Sequence, residues 1–230
     1  MELDGSVWSP TSFATATLVS VAGTHLLWIL FGALFVAFVI RFTMNLVSEP
    51  RRSALDYGVL FLAQGFGSGL LKPAPGTWGS LVGMAWLCLL LIPGSPSILL
   101  LGILLGIGVS VQTCQAAERI LETHDPASVV IDEIAALPLA WLGVLVVHAV
   151  TNAAWFPSSS PNFWRLWPEL LTAFGAFRLF DVWKPGWVGK SQDLPGGWGV
   201  TADDVLAGLL AAIPVGAVAA IRQSSWFAAP

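Results

Sequence analysis

The stretch HDPASVVIDEIAALPLAWLGVLVVHAV, residues 124–150, sets two adjacent carboxylates, Asp132 and Glu133, against a long apolar run. No Asp, Glu, Lys or Arg follows until Arg165, and 134–150 is long enough for a tilted or slightly short membrane span. An ionised carboxylate at the edge of hydrocarbon is costly unless it is paired, hydrated or metal-bound. The pair therefore marks either a helix start that uses its charge against the dipole or a working site. Neighbouring helical residues diverge by about 100°, so one carboxylate can ligate a cation while the other binds a neighbour or orients water.

The rest of the chain repeats this arrangement. It has 230 residues, 56% hydrophobic and 10% charged, with a mean hydropathy of +0.77, far from the balance of a soluble domain. Six hydrophobic segments are predicted, at about 20–40, 78–92, 97–112, 134–150, 164–180 and 205–221. The fold class is all-α, a polytopic helical membrane protein. The second, third and last segments are short, and the Pro93-Gly94-Ser95-Pro96 turn makes the second and third a hairpin. Ten basic residues are scattered along a chain of net charge −4, which excludes a nucleic-acid footprint. Cys88 and Cys114 lack metal-ligand spacing and read as packing residues. Glu2 and Asp4 stand where a signal peptide would be basic, so the first segment is expected to be a retained anchor.

Arg41, Arg51, Arg52 and Lys72 follow the first segment, which places that loop in the cytoplasm. Six crossings then put 113–133 and 181–204 on the same side, and 151–163, with the 158–161 turn, outside. Arg119, Lys184 and Lys190 obey the rule, whereas Arg165 and Arg222 do not. Trp155, Trp164 and Trp167 on one side, with Trp183, Trp187 and Trp198 on the other, suit interfacial belts. Every polar motif then falls on one cytoplasmic surface, predicting a cytoplasm-facing acidic site.

Four motifs compose that surface. In GFGSGLLKPAPGTWGS, residues 65–80, the loop amides, a helix start near Thr77 and Lys72 can hold a phosphate, with Gly76 and Thr77 at the turn. The spacing is not that of a P-loop; the plainer reading is a turn with Thr77 or Ser80 as N-cap. The second is Asp132-Glu133. The third, FRLFDVWKPGWVGK at 177–190, places Arg178, Asp181 and Lys184 three residues apart on one helix face: a carboxylate between two phosphate-binding cations, or an ordinary ion pair. The fourth, GGWGVTADDVLAG at 196–208, has Thr201 as a predicted N-cap with Asp203 and Asp204 in the first turn. Two acidic helix starts facing each other would give an oxygen-rich site suited to Mg²⁺.

His25, His124 and His148 are too far apart in sequence to suggest zinc, and no nucleophile loop or Ser-His-Asp set is legible. What remains is metal-assisted chemistry: Asp132, Glu133, Asp203 and Asp204 as metal ligands, Asp132 also able to orient water, and Lys184 and Arg178 neutralising phosphate charge. Asp181 either orients the water or attacks phosphorus directly.

Taken together, GFGSGL with PAPGTWGSL, HDPASVVIDE, FRLFDVWKP and GGWGVTADDVLAG resemble, in order and spacing, the blocks of the phosphatidylglycerophosphatase A family. The resemblance implies a bacterial, Mg²⁺-dependent hydrolase of the inner membrane that converts phosphatidylglycerophosphate to phosphatidylglycerol and inorganic phosphate, with a membrane phospholipid as its partner. It implies that Asp132, Glu133, Asp181, Asp203 and Asp204 are the acidic residues of the family motifs, with Lys184 beside them. Ala136, Gly186-Trp187 and Thr201-Ala202 depart from the family pattern at turn or packing positions. The expected domains are an N-terminal extension with its anchor, 1–60, and a phosphatidylglycerophosphatase A-like domain, 61–222. The rival enzyme is a phosphatase for another lipid phosphomonoester such as phosphatidic acid. The rival from another class is a small cation-coupled transporter, which would instead carry its carboxylates near mid-span.

Overall fold

The computed structural model describes residues 53–151, 163–186, 188, 191, 194 and 196–227. The expected span at 20–40 with most of the 1–60 extension, the 158–161 turn, Trp155, Trp187 and Lys190 lie outside the described residues. The described residues are helical, without strands.

Helix α1 (Ala54–Ala63) starts at a capping box: Asp56 N donates to Ser53 Oγ at 3.1 Å and Ser53 N to Asp56 Oδ2 at 2.9 Å. Such reciprocal caps contribute about 1 kcal/mol. This helix is absent from the hydropathy reading, although its Ser-x-x-Asp start is visible in the sequence. A 3₁₀ turn, Gly65–Leu70, reverses the chain through Phe66 and Gly67, at φ 56° and 87°.

Helix α2 (Pro75–Leu91) has Pro at its first position, where the missing N–H costs nothing. Neither Thr77 nor Ser80 caps it. Ala74 is the N-cap without a side-chain bond, and Ser80 Oγ donates back to Gly76 O at 2.8 Å. The Pro93–Pro96 turn leads into α3 (Pro96–Leu121), capped by Ser95.

The acidic stretch forms α4 (Ile131–Ala136), a 3₁₀ segment (Leu137–Trp141) around Pro138, and α5 (Leu142–Thr151). Helices α6 (Trp167–Trp183) and α7 (Gly197–Phe227) complete the fold. Helix α7 is central, packing on α3, α4, the 3₁₀ segment, α5 and α6. Close approach to α5 depends on glycine: a Cβ at Gly216 would sit 3.1 Å from the Gly143 carbonyl oxygen. Leu87, Leu91, Leu99, Leu137, Trp141, Phe177 and Val215 fill the interior, while Leu100, Leu101, Leu104 and Leu105 of α3 point outward as a lipid-facing surface would.

Three helical stretches are long and apolar enough to cross a membrane: Pro96–Leu121, Ile131–Thr151 and Gly197–Gln223. Pro75–Leu91 and Ala54–Ala63 are apolar but shorter. The third and last segments are thus not short. The hydropathy reading ends them early because polar residues such as Thr113, Thr201 and Asp203 continue the helices while facing the interior. Thr201 is likewise not an N-cap. The helix begins four residues earlier, and the buried Thr201 hydroxyl lies 3.0 Å from Ser110 Oγ of α3.

Candidate active site

Three separate segments bring charged groups to one end of the helices. The first turn of α4 supplies Asp132 and Glu133, the second turn of α7 supplies Asp203 and Asp204, and the end of α6 supplies Arg178 and Asp181. Lys184 is the C-cap of α6, in the left-handed conformation at φ 43°.

Asp132, Glu133 and Asp204 each offer an oxygen to a group whose members all lie within 4.8 Å of one another. Asp132 and Asp204 are 5% and 4% exposed. Asp132 Oδ1 accepts the Glu133 amide at 3.0 Å, which fixes the first turn of α4. Glu133 Oε2 is buried and has no hydrogen-bond partner.

Arg178 binds Asp181 three residues on, and its Nη1 stands 3.9 Å from Glu133 Oε1. Asp181 interacts electrostatically with both Glu133 and Asp204, so it borders the three-carboxylate group. Asp203 turns away from that group and accepts from Lys184 Nζ at 2.6 Å. The divergence of adjacent helical side chains explains why Asp204 joins the group and Asp203 does not. Burial alone would lower the Lys184 pKa, but the hydrogen bond and charge of Asp203, with Asp204 and Asp181, outweigh it and raise the ammonium above its ordinary value.

Helix α2 closes the site with a stripe of glycines at 76, 79 and 83, one face by their three- and four-residue spacing. A Cβ at Gly76 would collide with Glu133 Oε1 and stand 3.0 Å from Arg178 Nη1; one at Gly79 would stand 3.3 Å from Glu133 Oε2. The spacing is readable in the sequence, yet Gly79 and Gly83 are missed there. Of the expected phosphate-binding groups, Arg178 and Gly76 are at the site. The Thr77 and Trp78 amides both bond to Ala74 O, at 3.1 and 3.3 Å, and Pro75 has none. The first-turn amide left to a ligand is that of Gly76. Lys72 lies in the exposed loop before α2 and makes no ion pair among the described residues.

Five carboxylates against two cations, Arg178 and Lys184, leave an excess of negative charge in a largely buried site. Clustered carboxylate oxygens, one of them an orphan, fit a hard divalent cation. Asp132, Glu133 and Asp204 would hold it.

With this geometry in view, the sequence profile of the phosphatidylglycerophosphatase A family matches residues 61–219. The chain belongs to the phosphatidylglycerophosphatase A family. Among its relatives, phosphatidylglycerophosphatase A of Haemophilus influenzae is 38% identical over 158 residues, covering 68% of this chain and 86% of the relative. The phosphatidylglycerophosphatase A of Escherichia coli is 30% identical over 154 residues, covering 66% and 77%. A Bacteroides thetaiotaomicron protein named "Putative phosphatidylinositol-3-phosphatase" is 31% identical over 153 residues, covering 65% and 86%. No solved structure matches the chain. All four motifs fall inside the phosphatidylglycerophosphatase A match, and Gly76, Asp132, Glu133, Arg178, Asp181, Lys184 and Asp204 from them converge in the fold.

Proposed function

We propose that this protein is a lipid phosphomonoesterase that hydrolyses phosphatidylglycerophosphate to phosphatidylglycerol and inorganic phosphate, using Mg²⁺. The observation that carries the reading is the group Asp132, Glu133 and Asp204, within 4.8 Å and bordered by Arg178, in a member of this family.

A magnesium ion on those carboxylates would polarise a phosphoryl oxygen and offset its charge. The chain's own groups do the rest. Arg178, reached from the Gly76 side, binds the phosphate oxygens, and the Gly76 amide donates to one of them. Asp181, gripped by Arg178, orients a water in line with the ester bond. The water oxygen forms the new P–O bond as the bond to the glycerol oxygen breaks, and the proton lost by water ends on that leaving oxygen. Lys184, kept cationic by Asp203, neutralises charge developing on the phosphoryl group. Asp203 thereby acts through Lys184. Lys72 guides the anionic headgroup from the loop, with Thr77 lining its path.

The site lies at the headgroup level of the bacterial inner membrane, facing the cytoplasm, in a chain that crosses the membrane six times. The acyl chains of the substrate stay in the bilayer. The convergence of charged residues at one end of α4, α6 and α7 supports this topology. So does Arg222, an exception to the positive-inside pattern, which is ion-paired to Glu169 at 2.5 Å. Residues 1–60 are an extension carrying an anchor, and 61–222 are the enzymatic domain.

A second reading, action on another lipid phosphomonoester, is favoured by the name of the Bacteroides relative. Phosphate release in detergent from phosphatidylglycerophosphate and phosphatidic acid, with Mg²⁺ or EDTA, separates the two. Mg²⁺-dependent release from the first substrate is expected; equal rates on both would support the second reading, and release unaffected by EDTA would sink the metal-assisted mechanism.

A further inference from the structure

The start of α7 is docked on α3 through glycine and one pair of hydroxyls. A Cβ at Gly197 would collide with the Val111 carbonyl of α3, so the two backbones meet directly at the first residue of α7. One turn on, Thr201 is fully buried, as is Ser110 of α3, and their hydroxyl oxygens stand 3.0 Å apart. Cys114 Sγ, four residues along the same face of α3, lies 3.8 Å from Ser110 Oγ and 4.0 Å from Thr201 Oγ1. The Thr201 hydroxyl can donate to that sulfur while it accepts from Ser110, so both protons of the pair are used. Val200, Ala207 and Ala211, also buried on α7, offer packing without a preferred direction. The hydroxyl pair is directional.

The azimuth of Thr201 decides what the next turn of α7 presents. Asp203 is two residues on, about 200° round the helix, and Asp204 is three residues on, which brings it back to within about 60° of Thr201. With Thr201 turned to α3, Asp204 joins Asp132 and Glu133, and Asp203 reaches Lys184 on the other flank. We infer that the Ser110–Thr201 bond sets the rotation of α7 and thereby places Asp204 in the cation site, which makes Ser110 and Thr201 positioning residues for the reaction. The inference rests on the metal-assisted reading above. A side-chain oxygen stands about 5 Å from the helix axis, so a rotation of about 20° moves it by about 1.7 Å. That approaches the whole length of a magnesium–oxygen bond, about 2.1 Å, in a coordination shell that tolerates little departure from octahedral geometry.

The test is Mn²⁺ binding to the full chain in detergent, followed by electron paramagnetic resonance, with the melting temperature in EDTA measured beside it. Ser110→Ala and Thr201→Val each remove one hydroxyl at nearly constant volume and leave the other without its short bond. Each is expected to melt lower and to bind Mn²⁺ about tenfold more weakly, the lower end of what losing an orienting contact costs a metal site. Thr201→Ser keeps the hydroxyl and is expected to bind within about twofold of wild type. The double variant Ser110→Ala/Thr201→Val strands no hydroxyl, so its melting temperature is expected to return towards that of wild type while its affinity stays about tenfold weaker. A merely structural bond predicts the opposite, an affinity that recovers together with the stability. Wild-type affinity in the double variant, or a Thr201→Ser as weak as Thr201→Val, would overturn the inference. Where Thr201→Val does not fold, Ser110→Ala alone reads the same effect, and wild-type affinity there overturns it equally. If the wild-type chain bound no Mn²⁺, the metal-assisted reading would fall and this inference with it, an outcome distinct from a variant that binds normally.

Discussion

Lys184 Nζ lies 2.6 Å from Asp203 Oδ2, joining the left-handed C-cap of α6 to the second turn of α7. Helix C-caps of this shape favour glycine, and a residue with a Cβ there costs roughly 1 kcal/mol. The lysine is therefore held where its backbone is strained and its side chain is useful. Lys184→Gly relieves that backbone strain but leaves the buried Asp203 carboxylate unpaired, so it is expected to fold with lower thermal stability while phosphate release falls at least about tenfold. Equal activity in Lys184→Gly would show that the ammonium has no part in the reaction.

The same pair sets a pH dependence. The folded pKa of Lys184 is above its ordinary 10.5. Its contribution to stability is therefore fully present below about pH 10.5 and is lost as pH rises through the folded value. The difference in melting temperature between wild type and Lys184→Met should stay flat from about pH 6 to 10 and shrink above that range. A difference that changes near neutrality would contradict the assignment.

Asp132, Glu133 and Asp204 repel one another when no cation is bound. Asp204→Asn should relieve that repulsion. In EDTA its melting temperature is expected to equal or exceed that of wild type, while the rise on adding Mg²⁺ disappears and phosphate release falls by about a hundredfold. Scanning fluorimetry with and without Mg²⁺ reads the first two effects. A variant still stabilised by Mg²⁺ as wild type is would remove Asp204 from the ligand set.

Gly76 leaves room that a Cβ would take from Glu133 Oε1 and Arg178. Gly76→Ala should lower phosphate release by about tenfold or more through misplacement of those two groups. Circular dichroism should stay unchanged. Wild-type kinetics in this variant would mean that α2 is not a wall of the site.

At the other end of α6, Arg222 of α7 is paired to the buried Glu169, roughly 18 Å along the helix from Asp181. Arg222→Leu leaves a buried carboxylate unpaired and should destabilise the fold by about 3 kcal/mol. Glu169→Leu with Arg222→Leu should recover most of that loss. Unfolding in denaturant compares the three variants, and no recovery in the double variant would argue against a coupled pair.

The all-helical character and the convergence of the four motifs are legible in the sequence because both depend on residue type and coarse spacing. Asp132, Glu133, Arg178, Asp181, Lys184 and Asp204 all reach one place. Helix lengths are less legible. A hydropathy window stops at Thr201 and Asp203 although the helix continues through them, since their polarity is satisfied inside by Ser110 and Lys184. The split between Asp203 and Asp204 depends on the rotational phase of a helix whose start is Gly197, not Thr201. Helix α1 is missed because ten residues with a capping box are too short to register as a span.

The 3₁₀ segment Leu137–Trp141 divides the stretch that begins with Asp132 from the one that packs Val144 in the core. A 3₁₀ turn advances about 120° and 2 Å per residue, against about 100° and 1.5 Å in an α-helix. Five such residues turn the lower helix by roughly a quarter circle relative to the upper one. The azimuth at which the acidic turn meets its site is thereby uncoupled from the azimuth at which the same stretch anchors in the bundle. Either can drift over evolutionary time, or be redesigned, without forcing the other out of register.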